Sequence, residues 1–176
     1  ARGLDSQDLA GRTATQVRAL TTANLAAMDS ADIGALTGEH LANLSSLQLR
    51  AIESSDIRAI GAEALQSLVS AQIALLTTQQ VSGLATDQWQ AMTEQHLDGL
   101  TTAAIVAMDS ADFRALSVDQ LVTLSTTQVR AMETADLRAM GIDRLPDFSA
   151  AQVAGLTSTQ VMALQTDHVA ALTPTQ

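Results

Sequence analysis

Large apolar residues recur along this chain with a period of eight. From Leu20 every eighth residue is large and apolar, through Met28, Leu36, Leu44 and Ile52 to Leu164 and Leu172, without exception. A second series runs from Leu9 through Val17, Leu25 and Ile33 to Val161 and Val169 and is equally unbroken. A period of this kind has to be recognised before any motif is sought, because it decides the fold. Numbering the octad one to eight, the second series fills position five and the first fills position eight. Position one is mostly Ser or Thr, position four mostly Gln or Asp, and position seven mostly Ala or Gly. The consensus is T/S-x-x-Q/D-V/L/I-x-A-L/M.

The polar positions predict a helix in each octad. Ser or Thr followed three residues later by Gln or Asp, as in Thr13 and Gln16, Ser45 and Gln48, Thr77 and Gln80, or Thr157 and Gln160, has the form of a capping box, which satisfies two free amide donors reciprocally. The residue at position eight then stands at N′ and that at position five at N4, the two ends of a hydrophobic staple. One continuous helix is excluded by geometry: eight residues advance about 800°, so the apolar face would rotate by about 80° per octad. Spacings of three and five have no period of two, which disfavours strands.

A single octad is too small to fold. Two buried aliphatic side chains contribute roughly 3–6 kcal/mol, against roughly 8–16 kcal/mol to fix eight backbone residues. Stacking must supply the rest, and the small residue at position seven permits close approach. The expectation is therefore all-α: a solenoid or superhelix of tandem short helices, one two-turn helix per eight-residue repeat, with sharp corners and an open number of helices per turn.

Residues 1–176 form a single array of about 22 octads, read as a fragment of a longer one. An 80-residue repeat overlies it, 21–100 against 101–176: Met28-Asp29-Ser30-Ala31-Asp32 recurs as Met108-Asp109-Ser110-Ala111-Asp112. Block duplication accounts for it, and ten octads completing whole superhelical turns is the functional alternative. The most irregular octads, 61–68 and 141–148, fall at equivalent places, with Gly at position one and no capping Gln. Gly61, Gly141 and Pro146 are thus candidate hinge or docking points, beside the simpler reading of one irregularity copied once.

Candidate chemistry is sparse. His40, His96 and His168 all occupy position four and read as replacements of the capping Gln, with no ligand spacing among them. The paired acids Asp29 and Asp32, Glu53 and Asp56, Asp109 and Asp112, and Glu133 and Asp136 stand at positions one and four, where negative charge suits helix N-termini. Cation binding is disfavoured because the glycine-bearing loop of known calcium motifs is missing. Arg18, Arg50, Arg58, Arg114, Arg130 and Arg138 share position six, together with Arg2. They form a candidate partner-contact face, with inter-turn ion pairs as the plainer role at Arg58, Arg114 and Arg138, each of which follows an Asp by two residues. Trp89 reads as core filling. No catalytic, cofactor or metal residues are assigned, and no phosphate loop or nucleophile elbow is present, so enzyme activity is not expected.

Composition narrows the partners. A formal net charge of −10 without a single Lys argues against binding a phosphate backbone, which needs clustered cations. No apolar run is long enough to span a membrane and no signal pattern opens the chain. Without Cys the redox compartment is unreadable.

Units such as Ala19-Leu20-Thr21-Thr22, Gly155-Leu156-Thr157-Ser158-Thr159-Gln160-Val161 and Ala171-Leu172-Thr173 resemble the tandem A-L-T-x-x-Q-V/I/L-x arrays of large bacterial exported or cell-surface proteins. That resemblance implies an extended spacer, adhesin or interaction region, and favours a secreted or surface location over the cytoplasm. The expected function is a non-catalytic scaffold with a protein partner or self-assembly. The alternative is an intracellular regulatory binder, including an acidic mimic of nucleic acid.

Overall fold

The computed structural model describes residues 6–141 and 143–176. Each octad from 5–12 to 165–172 carries one short helix, nineteen α-helices and two 3-10 helices, Ile57–Ala59 and Leu145–Asp147. The described residues contain no strand. The caps are formed as the spacing requires: the Thr77 amide donates to Gln80 Oε1 at 3.0 Å, and the Gln80 amide donates to Thr77 Oγ1 at 3.1 Å. Each cap of this kind is worth about 0.5–2 kcal/mol.

The α-helices are four to seven residues long, somewhat shorter than two turns. Position eight leaves the helix and becomes extended, as at Ile52 with φ −66° and ψ 125°, and the next position one is extended as well, as at Thr77 with φ −72° and ψ 157°. These two residues make the corner. The side chain at position eight is thereby turned into the core, and the corner needs no left-handed backbone. Among the described residues only Gly141 has a positive φ.

Contacts between helices follow one rule. Each octad packs on the octad three further along: Thr22–Ala26 on Ser46–Ala51, Glu94–Asp98 on Val118–Thr123, Ser110–Ala115 on Thr134–Met140. Hydrogen bonds from position four reach the octad four back, as Gln80 does to Leu49 and Ile52. Neighbours at both three and four place one superhelical turn between three and four octads, much as residue neighbours do within an α-helix.

The core runs along the inside of this superhelix. Position five is wholly buried from Leu9 to Leu145, and position eight nearly so from Met28 to Phe148. Each such side chain stabilises the fold by about 1.5–3 kcal/mol. The two largest buried residues, Trp89 and Phe113, lie on octads that stack directly. Position seven sets the spacing between turns: a Cβ on Gly83 would lie 2.4 Å from the Ser54 carbonyl oxygen, and one on Gly99 2.6 Å from that of Ser70.

The two ends differ. Leu9, Val17 and Leu25 are buried because the next turn covers them, whereas Val161 is 49% and Val169 52% exposed. Position five therefore points along the array toward its C-terminal end.

Candidate functional site

Polar chemistry in this molecule is concentrated at position four, where the side chain works in two directions at once. Gln128 Oε1 accepts from the Ser125 amide at 2.8 Å, closing the cap of its own helix. Its Nε2 donates to the carbonyls of Leu97 at 2.7 Å and Leu100 at 2.9 Å, four octads back. Gln80, Gln88, Gln152 and Gln160 repeat this arrangement. The C-terminal carbonyls of a helix have no partner within it, and here the amide of a later turn supplies one. These Gln side chains are buried, so an unmade bond would carry the full desolvation penalty. The sequence showed the cap but not the bridge, because a partner 28 or 31 residues away is invisible to a local motif.

The histidines imitate the glutamines. Nδ1 of His96 accepts from the Thr93 amide at 3.2 Å, and its Nε2 lies 2.7 Å from the Leu68 carbonyl. His40 does the same with the Thr37 amide and the Arg12 carbonyl. These partners place the proton on Nε2. His168 Nδ1 accepts from the Gln165 amide. All three rings are buried, each in its own octad, and none is set against a hydroxyl or carboxylate. Among the described residues no group of three or more His, Asp or Glu could hold a metal ion.

The acidic pairs divide into two kinds. Asp29 and Asp109 cap their helices, each accepting two amides. Glu53 and Glu133, expected to cap as well, make no cap hydrogen bond. Caps favour the short Asp, Asn, Ser and Thr side chains, and the additional methylene of Glu carries its carboxylate outward. Of the partner acids at position four, Asp56 and Asp136 are buried, and Asp32 and Asp112 are half-buried. Asp56 is buried and accepts a hydrogen bond from Ser30 of the stacked octad.

Asp112 is pushed up to about 6, first by burial and then by the charges of Asp109 and Asp136; the Asp109 amide and the Trp89 indole act in the opposite direction. The indole nitrogen of Trp89 is buried and has no acceptor at ordinary hydrogen-bond geometry, so its influence on Asp112 is weak. Asp136 is raised as well, by burial and by Glu133 and Asp109.

The arginines of position six, Arg18, Arg50, Arg58, Arg114, Arg130 and Arg138, are all exposed. The ion pairs expected at Arg58, Arg114 and Arg138 do not form: among the described residues the one salt bridge joins Arg144 to Asp147. Residues two apart on a helix point to different sides, so the Asp at position four faces the core while the Arg faces solvent. Arg58 instead sends its Nε–H toward the Gly83 carbonyl of the stacked octad, at 3.4 Å. A shallow open groove of about 670 Å³ adjoins it, lined by Ser54, Ser55, Thr78, Gln79, Ser82 and Gly83. This lining offers hydroxyls, the Gln79 amide and one guanidinium.

Octads 61–68 and 141–148 fill position four differently. Ala64 makes no bridge, and Gly61 caps without a side chain in a helix of four residues, Ala62–Leu65. In the second octad Arg144 takes over the long reach, donating from Nη2 to the Leu116 carbonyl at 2.7 Å and from Nη1 to that of Arg114 at 3.2 Å. Gly141 has φ 78° and Pro146 lies within the 3-10 turn Leu145–Asp147.

A family model for the ALTTAQ repeat matches residues 2–46, 49–86, 105–141 and 129–174. The chain belongs to the ALTTAQ repeat family. Its six letters correspond to positions seven, eight and one to four, and Ala19-Leu20-Thr21-Thr22-Ala23-Asn24 follows them closely. In the ALTTAQ octad the Ala spaces the turns, the Leu fills the corner, the first Thr caps and the Gln bridges. No curated protein matches the chain. Among the described residues no helix is long and apolar enough to cross a membrane.

Proposed function

We propose that this ALTTAQ array is a non-catalytic scaffold, serving as a spacer or protein-interaction module in a secreted or surface-exposed bacterial protein. One observation carries the reading. Most of the buried polar side chains of position four, from His40 and Gln48 through Gln80, Gln88, His96, Gln120, Gln128 and Gln152 to Gln160, are engaged in holding one turn to another, and the buried Asp56 is tied to Ser30 of the stacked octad. What is left to vary is the outer surface, at positions two, three and six. Exposed Arg50, Arg58, Arg130 and Arg138 interrupt the acidic surface, which supports a protein contact over mimicry of nucleic acid, for which an unbroken acidic ribbon is needed.

Limited proteolysis of intact source cells, followed by detection of this segment, tests the placement. Digestion without lysis is the expected result, and protection until lysis would overturn the surface reading. Solution scattering tests the spacer: deleting three consecutive octads should shorten the longest dimension by about 8–10 Å, one interhelical spacing. An unchanged length would rule out a stacked rod.

A further inference from the structure

The groove beside Arg58 continues into a second one. This second groove, of about 350 Å³, shares Ser54 and Gln79 with the first, so the two form one trough between octads 45–52 and 53–60 on one side and octad 77–84 on the other. A guanidinium stands at each part, Arg58 at the first and Arg50 at the second. Arg58 is steered there by its Nε–H, which points at the Gly83 carbonyl at 3.4 Å. Gly83 approaches the Ser54 carbonyl so closely that a Cβ on it would lie 2.4 Å away. Among the described residues neither arginine forms a salt bridge. Two of the lining hydroxyls are occupied: Thr77 Oγ1 accepts from the Gln80 amide, and Ser82 Oγ lies 3.0 Å from the Thr78 carbonyl and 2.9 Å from that of Ala107. The hydroxyls of Ser54, Ser55 and Thr78 and the amide of Gln79 are left to a guest.

We propose that this trough binds an extended acidic segment of a partner protein, with two carboxylates on Arg50 and Arg58 and the stretch between them lying over Ser54 and Gln79. The assignment rests on the reading of the array as a protein-interaction module and names the chemistry of its partner. Octads 69–76 and 77–84 contain no charged residue, so the far wall presents no carboxylate to repel such a guest. Octad 29–36, with Asp29 and Asp32, packs on 53–60 from the preceding turn. Asp56 is buried against Ser30, and Glu53 is the one acid in the lining. In a chain of net charge −10 the trough is therefore locally cationic. Arginine suits the task, because its planar fork takes a carboxylate through two parallel hydrogen bonds. The open, shallow shape suits a chain laid along it, where a small molecule needs an enclosed and mostly apolar pocket. No aromatic ring lines the trough, so it offers no stacking face to a ring-shaped ligand. The place eighty residues on is an internal comparison. Arg130 and Arg138 repeat the cations there, but Ala135 stands for Ser55, Thr159 for Gln79 and the 77% exposed Met162 for Ser82. It keeps the charges over a more apolar lining.

Fluorescence anisotropy on the whole chain tests the proposal, with a labelled peptide of alternating Asp and Ser as the probe, since alternate residues of an extended chain point to one side. The peptide should bind, more weakly as salt is added, and a control with Asn in place of Asp should not. Arg50→Gln with Arg58→Gln should raise the dissociation constant at least about tenfold. Arg130→Gln with Arg138→Gln should change it by under about threefold, and Ser82→Met, which gives the first site the side chain of the second, should fall between the two. Circular dichroism checks that the variants fold, as exposed positions should allow. If the glutamines disturb the turn, Arg50→Lys with Arg58→Lys keeps the charge, removes the fork and should still weaken binding. A peptide that fails to bind overturns the proposal, and so do equal losses from the two arginine pairs or no loss from Arg50 and Arg58. Dextran sulfate binding where the acidic peptide does not would overturn it too and assign the trough to a sulfated polysaccharide. Each of these failures leaves the scaffold reading standing, because proteolysis of intact cells and solution scattering test that reading separately.

Discussion

Octads 125–132 and 141–148 perform the same task with different chemistry. In the first, Gln128 closes the cap of Thr126–Ala131 and bridges to Leu97 and Leu100. In the second, Arg144 bridges to Arg114 and Leu116. Its guanidinium has donors only, so it cannot accept the position-one amide, and its Nε is committed to Asp147. The local helix is correspondingly reduced to the 3-10 turn Leu145–Asp147. The difference separates two functions that Gln combines. The bridge keeps an octad docked on the turn four back, and the cap makes its helix regular. An octad can lose the cap and keep the bridge, as 141–148 does, while octad 61–68 has neither and is held in the array by its buried Leu65 and Leu68.

The strongest way to break the comparison is to remove what both octads rest on. Leu124→Asp buries a carboxylate at a corner that is 2% exposed and should cost at least about 4 kcal/mol, melting several neighbouring octads together. Loss of helical circular dichroism well beyond eight residues is the expected signature, and a local loss would contradict cooperative stacking. Gln128→Leu removes cap and bridge together and leaves two carbonyls without a donor. A loss of about 2–3 kcal/mol in urea unfolding is expected. Arg144→Leu removes the bridge alone, from a partly exposed site, and should cost about 1–2 kcal/mol. Equal losses at the two sites would show that the cap contributes nothing.

Asp112 sharpens the same point, because a carboxylate at position four has no proton with which to bridge. Its folded value of about 6 lies above the ordinary 3.8, so the folded state binds the extra proton between those values. Stability from this group is fully present below pH 3.8 and is lost as pH rises through 6. Asp136 acts in the same direction. Asp112→Asn should therefore stabilise the chain at pH 7.5 by about 1 kcal/mol, after allowance for solvent around the half-buried group. It should also flatten the gain expected of the unmodified chain from this group on acidification to pH 5. A variant with an unchanged pH profile would remove Asp112 from the account. The smallest effect belongs to His96→Gln, where both bonds have a direct replacement: a change under about 0.5 kcal/mol is expected, against about 2 kcal/mol for His96→Leu.

Much of this was legible in the sequence. The pairing of Thr77 with Gln80 is local, three residues apart, and a capping box can be read from any such pair. The core could be read from the unbroken series at positions five and eight, since no other arrangement buries both. Ion pairing at Arg58, Arg114 and Arg138 was misread, because proximity in sequence says nothing about which side of a short helix each residue faces. The reach of Arg144 was hidden for a related reason: the octad appeared to lack its capping residue, and only its carbonyl partners show that the position is filled.

Taken by itself, the sequence determined the repeat, the helix in each octad and the identity of the core, because each of these depends on interactions within eight residues or on a strict period. The tertiary structure decided the pitch, three to four octads per turn, and with it the second role of Gln128 and the partial burial of Asp112. Those depend on which octads become neighbours, and that follows from the corner angles of an extended pair of residues repeated along the chain. A small change in that pair would move every partner by a full octad while leaving the sequence pattern intact.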